Sequence, residues 1–362
     1  MELTEHQQGV YDAVKEWFRG SKRQELTFGG YAGTGKTVTA SVIASGDDFG
    51  YVHTVAPTGK AVRVLRSKGI HDAETIHSFV YRFVGKDANG QPIFDTKETE
   101  EPDLLVADES SMVPMPVYQD LLATGLRILW IGDHGQLEPV GEDAGLMKDP
   151  EIRLEEILRQ AKESPILAFA HECRQGIPPR DRIDVPGLKV DRISDYLYDT
   201  ERLLSFGQIL VAFNRTRTSL NNRIREHLGF KAKVEVGDKL IIRRNNRRRR
   251  IFNGMIVVVE KIHELSGKEA TVDLRDDDDR LLEEVKLDLR QLGNNQLVDP
   301  FPGVGLADYG YAITVHKSQG SQWDRVLVVE EFCPKWSMPR WRYTAQTRAA
   351  KELVYLTNEV KR

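Results

Sequence analysis

The chain has 362 residues, of which 51 are Lys or Arg, 55 are Asp or Glu and 40% are hydrophobic, with a formal net charge of −4. Such a chain can bury a sizeable core in two or three domains, and its charge balance excludes a basic coat for nucleic acid, so any nucleic-acid site must be local. The two cysteines, Cys173 and Cys333, have no second Cys or His at metal-ligand spacing, which excludes a zinc site and a disulfide framework and points to a reduced cytosol.

The chain opens with a predicted helix: in LTEHQQGVYDAVKEWF the apolar positions Val10, Val14, Trp17 and Phe18 recur at helical spacing, and Thr4 with Gln7 makes a capping-box pattern. This start lacks the basic-then-apolar order of a leader, and no apolar run approaches membrane-spanning length, so neither export nor membrane insertion is expected. The runs ELTF, YVHTVA, DLLVADE and LRILWIGD read as buried parallel strands alternating with helices. They predict an α/β nucleotide-binding domain with its ligands at the carboxyl ends of the strands. Between the second and third runs, Asn89-Gly90 predicts a two-residue hairpin turn inside a small β insertion over residues 79–103. Beyond Arg159, ESPILAFAHECRQG is helical and FGQILVAFNRTRTSLNNRIREHLG supplies a strand and helix of a second α/β domain. From 234 to 306, DKLIIRR, GMIVVVEKI, EATVDLR and EEVKLDL alternate with Asn-Gly, Ser-Gly and Asp-rich turns and predict a small β-barrel. YGYAITVHKSQGSQWDRVLVVE then returns to helix and strand. The expected division is 1–78 with 104–160, the hairpin 79–103, then 161–233 with 307–362, interrupted by the barrel 234–306.

Two motifs carry chemistry. FGGYAGTGKT places Gly30, Gly33, Thr34, Gly35, Lys36 and Thr37 in a strand-loop-helix setting. There backbone N–H groups cradle phosphates, Lys36 meets the β and γ oxygens, and Thr37 ligates magnesium. Asp108 and Glu109 follow the apolar strand DLLVA and emerge at the same end of the sheet. Asp108 is suited to hold magnesium and Glu109 to orient or deprotonate an attacking water. Magnesium-dependent nucleoside triphosphate hydrolysis is the expected chemistry, and no acceptor site for a kinase can be read.

Seven stretches now stand in the order of superfamily 1 helicase motifs: GYAGTGKT, APTGKA, TIHS, ADESSM, GDHGQLEPV, YAITVHKSQGSQW and YTAQTRA. The chain resembles the RecD and Dda branch of that superfamily over almost its whole length. The resemblance implies two RecA-like domains with parallel sheets, ATP bound between them, single-stranded DNA across their tops and 5′ to 3′ translocation. It implies an adenine contact for Gln7, whose alternative is the capping box with Thr4. It implies a γ-phosphate sensor in Gln136 and charge-stabilising arginines in Arg159 and Arg348. For DNA it implies Thr58, Lys60, His77, Ser78, Thr314, His316, Lys317 and Gln319, whose hydroxyl, amide and cationic groups suit sequence-independent phosphate binding. The hairpin is similar to the strand-separating pin of this branch, and the 234–306 insert to its SH3-like module.

Two positions depart from the family pattern: Glu138 replaces a proline after Gln136, and Gln322 replaces an acid in the QGS stretch. The run RRNNRRRR at 243–250 is either a phosphate track or a solvated hairpin tip. The implied protein is a monomeric DNA helicase of a bacterial or phage-infected cytosol. It acts on single strands and on tailed or forked duplex, with a single-strand binding protein as a further partner. A translocase that displaces bound proteins, an RNA substrate, a metabolite kinase and a nucleotide-dependent switch are the alternatives.

Overall fold

The computed structural model describes residues 3–86, 92–96, 101–138, 142–158, 163–179, 181–197, 199–246, 249, 251–277, 279–301 and 303–359. They form two compact units, Met1–Leu167 and Ala168–Arg362.

The first unit is built on apolar runs that cannot have a wet face. Its strands are β1 (Glu25–Gly30), β2 (Val52–Ala56), β3 (Glu74–Thr75), β6 (Leu104–Ala107), β7 (Ile128–Gly132) and β8 (Ile152–Leu154), with the hairpin strands β4 (Tyr81–Lys86) and β5 (Pro92–Thr96) apart from them. The six pair in parallel in the order β3-β2-β6-β7-β1-β8. Side chains alternate across a strand, so each run feeds two cores. Leu104, Val106, Leu129 and Ile131 pack on one side with Val10, Val14 and Trp17 of helix α1 (Glu5–Gly20) and with α2 (Lys36–Ser45). Leu105, Ala107, Ile128 and Trp130 pack on the other with Phe79 of α4 (Ile76–Val80) and Val117 and Leu121 of α5 (Met115–Ala123). Helix α3 (Gly59–Ser67) covers the β2 and β3 end through Ala61, Val62 and Leu65. The Thr4–Gln7 capping box is present at the start of α1.

In the hairpin, β4 and β5 are antiparallel, and Arg82 pairs with Asp95 at 3.3 Å. The Asn89-Gly90 turn lies outside the described residues.

Helix α6 (Pro165–Arg174) runs across the boundary into the second unit. Strands β9 (Ile183–Val185), β10 (Leu188–Arg192) and β11 (Gln208–Val211) and helices α7 (Thr200–Leu204) and α8 (Asn214–His227) follow. After the insert come β17 (Ala312–Thr314), α9 (Val315–Ser318), β18 (Trp323–Val329), α10 (Met338–Gln346) and β19 (Ala349–Thr357). The sheet order is β17-β11-β18-β19-β10-β9, parallel except for β9.

The insert is an antiparallel sheet of β12 (Lys239–Ile242), β13 (Ile256–Ser266), β14 (Glu269–Asp276), β15 (Leu281–Asp288) and β16 (Ala307–Tyr309), in the order β15-β14-β13-β12-β16. A bridge from Gly305, just before β16, to Leu287 of β15 brings its two ends together. Its inward side chains Leu240, Ile242, Val257, Val272 and Leu274 share one core with Ile209, Val211, Leu327, Val329 and Leu356 of the parallel sheet. The insert is therefore fused to the second sheet by apolar burial, worth roughly 25 cal/mol per Å² removed from water. A buried ion pair adds to this joint. Arg217 of α8 meets Asp308 of β16 at 2.6 Å, and Arg243, the first residue of RRNNRRRR, reaches the same carboxylate at 3.4 Å. Within that run Arg249 donates to the Glu283 and Glu284 carbonyls, while Arg247, Arg248 and Arg250 lie outside the described residues.

Candidate functional site

Strand order sorts the candidate residues along one edge of the first sheet. The phosphate loop follows β1, Asp133 to Gln136 follow β7, Asp108 and Glu109 follow β6, Thr58 and Lys60 follow β2, and His77 and Ser78 follow β3. All five strands are parallel, so all five segments leave the same carboxyl edge.

The phosphate loop needs its glycines. Gly33 and Gly35 sit at φ of 83° and 88°, in the left-handed region that an L side chain resists. A Cβ on Gly35 would also run into the Gln7 amide, whose Nε2 stands 3.5 Å from the Thr34 carbonyl. The Gln7 Oε1 accepts the Thr4 N–H at 2.9 Å. The same side chain thus caps α1 and touches the loop, so the two readings of Gln7 do not exclude each other. Gly30 faces Lys36 and Thr34, and a Cβ there would lie 2.9 Å from each side chain. Lys36, the first residue of α2, donates to the Tyr31 carbonyl at 2.8 Å and lies 3.7 Å from Asp133. Thr37 stands in the first turn of α2.

Asp108 Oδ1 accepts the backbone N–H of Glu109 at 2.8 Å. Burial raises the Asp108 carboxyl above the usual range, against the pull of that N–H and of Lys36. Glu109 adopts φ 54°, unusual for a residue with a Cβ and costing on the order of 1 kcal/mol. The left-handed turn lets Glu109 start the short 3-10 turn Ser110–Met112, whose Ser110 hydroxyl donates to the Ala107 carbonyl at 2.6 Å.

Gln136 is buried and its amide donates to Asp133 Oδ2 at 3.3 Å, while Asp133 Oδ1 accepts the Gly135 N–H. The His134 ring packs against Tyr31 of the phosphate loop with centroids 4.1 Å apart and planes tilted by 44°, and burial drives its pKa down to about 4, so the ring is neutral near pH 7. Toward β2 and β3, Thr58 caps α3 by accepting the Ala61 N–H. Thr75 caps α4 and shares its hydroxyl with that of Ser78 at 2.8 Å. The His77 ring lies 5.3 Å from Tyr81.

In the second unit, Thr314 ends β17, and His316 and Lys317 stand on α9. Burial, then Arg243 and Arg217, lower the Lys317 pKa to about 7, while Asp308 opposes them. Gln319 is buried and caps α9, after which the chain returns to the amino end of β18. There Arg348, just before β19, donates to the carbonyls of Thr344 and Ser321 and to the Thr347 hydroxyl. Arg348 is therefore held at the opposite end of the sheet from Thr314. Arg159 lies outside the described residues.

A model of the AAA domain family matches residues 3–186, and one of the UvrD-like helicase C-terminal domain matches residues 309–356. The chain belongs to the AAA-domain family. It is similar to the ATP-dependent RecD2 DNA helicase of Deinococcus radiodurans, with 31% identity over 378 residues covering 96% of this chain. That alignment takes in 48% of the relative, so the chain spans about half the length of that protein. In fold it is similar to Bacteroides Pif1 bound to single-stranded DNA, at 19% identity and TM-score 0.58 over 99% of this chain and 92% of that one. A structure of two coordinating Pif1 helicases unwinding forked double-stranded DNA has TM-score 0.60 and 18% identity over 100% and 94% of the two chains.

The motifs in the sequence single out Gln136 and Lys36 but not Asp133, which accepts from the Gln136 amide and lies 3.7 Å from Lys36. A carboxylate ending a buried strand beside the one that ends in Asp108 is the signal that would have found it. Nothing in the sequence pattern pairs His134 with Tyr31 or Arg217 with Asp308, because those contacts join segments about 90 to 100 residues apart.

Proposed function

We propose that the chain is an ATP-driven motor that moves 5′ to 3′ along single-stranded DNA and separates duplex. The observation that carries this reading is the order of segments along the first sheet. Groups suited to phosphate hydrolysis follow β1, β7 and β6, and groups suited to a nucleic-acid backbone follow the neighbouring β2 and β3. Adjacent strands are about 5 Å apart, so a shift in one loop is felt by the next. In this account Lys36 and the loop N–H groups hold the phosphates. Glu109 takes the proton of the attacking water, and Gln136, oriented by Asp133, reports the γ-phosphate to the strand-binding loops. Arg348 and Arg159 supply positive charge to the transition state.

The residues present fit a magnesium ion. Asp108 offers an oxygen to which no donor is bound among the described residues, and Thr37 offers a hydroxyl, the hard donors this ion takes alongside phosphate. Once bound, the ion neutralises developing phosphate charge. The two parallel-sheet regions, 1–78 with 104–160 and 161–233 with 307–362, are read as RecA-like domains. The closing bridge of the insert favours an SH3-like barrel, and the β4–β5 hairpin is read as the strand-separating pin. Tailed or forked duplex is the substrate, a monomer the working form and the cytoplasm its place; among the described residues no helix is long and apolar enough to cross a membrane.

The ATPase rate with oligo-dT, oligo-U, duplex or no nucleic acid tests this reading. Strong stimulation by oligo-dT is expected, weaker stimulation by oligo-U, and little by blunt duplex. A rate indifferent to nucleic acid would favour the kinase or switch alternatives.

A further inference from the structure

The second unit carries an aromatic cluster around His316, and its other rings, Phe213 and Trp336, have none of the roles above. Strands β17, β11 and β18 are parallel neighbours, and each delivers a ring to the same carboxyl edge. His316 follows β17, Phe213 follows β11, and Trp336 stands in the loop after β18. Trp336 stacks on Phe213 with centroids 5.3 Å apart and planes 28° apart, and His316 meets it edge-on at 5.1 Å.

The loop after β18 is pinned. Glu331 accepts the Thr216 hydroxyl at 2.5 Å and the Phe213 N–H at 3.4 Å. The buried Glu330 pairs with Arg342 at 2.5 Å and accepts the Tyr355 hydroxyl at 2.7 Å. Both carboxylates of the loop are thus consumed inside the fold. What the loop presents outward is the cation Lys335 and the ring of Phe332, which at 67% exposure is the most exposed large hydrophobic side chain among the described residues.

We propose that this loop is a base-stacking platform on which Phe332 and Trp336 hold nucleobases of a single strand. The proposal rests on the single-strand reading above. Aromatic faces beside a cation, with the local acids neutralised, suit a polyanion whose bases are unstacked. A duplex hides those faces, and a lipid surface would call for a wider apolar patch than one exposed ring on a loop that also exposes Lys335. The platform also adjoins Thr314 and His316, which are placed to take the strand's backbone.

Affinity for oligo-dT against an abasic strand of the same length isolates the stacking contribution, because both strands carry the same phosphates. The wild-type chain is expected to prefer oligo-dT roughly tenfold, and Phe332→Ser and Trp336→Leu are each expected to cut that preference severalfold. Phe332 is exposed, so its variant keeps the test valid if Trp336→Leu fails to fold. Trp336→Phe should keep most of the preference. Equal affinity of the wild type for the two strands, or an undiminished preference in Phe332→Ser, would overturn the platform while leaving the single-strand reading in place. Failure to bind either strand would overturn the reading on which it rests.

Discussion

Replacing Lys317 by Met removes an ammonium group that the fold holds at a cost. The side chain is half-buried on α9, with Arg243 reaching it from the end of β12, Arg217 from α8 and Asp308 from β16. Its neighbour His316 is held toward the neutral form by burial and adds no charge near pH 7. Burial first, and then the two guanidinium groups, bring the Lys317 pKa from 10.5 to about 7. Between those two values the unfolded chain binds one more proton than the native one, so stability rises with pH. The destabilisation is complete below pH 7 and gone above the unfolded value. At about 1.36 kcal/mol per pKa unit it amounts to about 4 kcal/mol at pH 7 and about 2 kcal/mol at pH 9. Lys317→Met should therefore be more stable than the wild type at pH 7, and the gap should shrink by about 2 kcal/mol at pH 9. Urea unfolding of both proteins at the two pH values reads this directly, since transitions of the other unit cancel in the difference. A gap that does not change with pH would refute the reasoning. Loss of single-strand affinity in the stabilised variant would show why the lysine is kept.

Lys36→Ala and Glu109→Gln should both abolish turnover, the second by roughly 10² to 10⁴-fold, but only the first should weaken ATP binding. Nucleotide titration of the two variants, with steady-state rates, checks this, and wild-type turnover in Glu109→Gln would remove its role as base. Arg348→Ala should slow oligo-dT-stimulated hydrolysis by about a hundredfold while single-strand binding holds, since its proposed target is phosphate charge. Equal rates at saturating oligo-dT would dismiss that role. Exchanging residues 86–92 for a Gly/Ser linker should preserve stimulated ATPase and sharply reduce unwinding of a 5′-tailed duplex. Undiminished unwinding per ATP would move the separating element to the insert.

The parallel strands of the first unit were legible because each is a short apolar run ending in polar or glycine residues, and both of its faces are buried. Period and punctuation sufficed for β1, β2, β6 and β7. The edge strands β8 and β9 were not legible: IRL and IDV are three residues long and have a single sheet neighbour, so no pattern accumulates. The phosphate loop and the Asp108–Glu109 pair could be read because backbone geometry and strand-end placement are local properties. The burial of Arg243 could not. A run of arginines looks solvated until the fold brings Asp308 beneath its first member, and that carboxylate lies 65 residues away. Nor could the sequence show that Arg348 is tied to three acceptors of its own unit, since Ser321 reaches it through sheet topology and not through spacing.

Strand separation with defined polarity is the most direct test of the central claim. With ATP and magnesium, a fluorescent duplex bearing a 5′ single-stranded tail should be opened, and the same duplex with a 3′ tail, or with Glu109→Gln in place of the wild type, should stay closed. Opening of the 3′-tailed duplex alone, or of neither substrate despite DNA-stimulated hydrolysis, would contradict a 5′ to 3′ helicase.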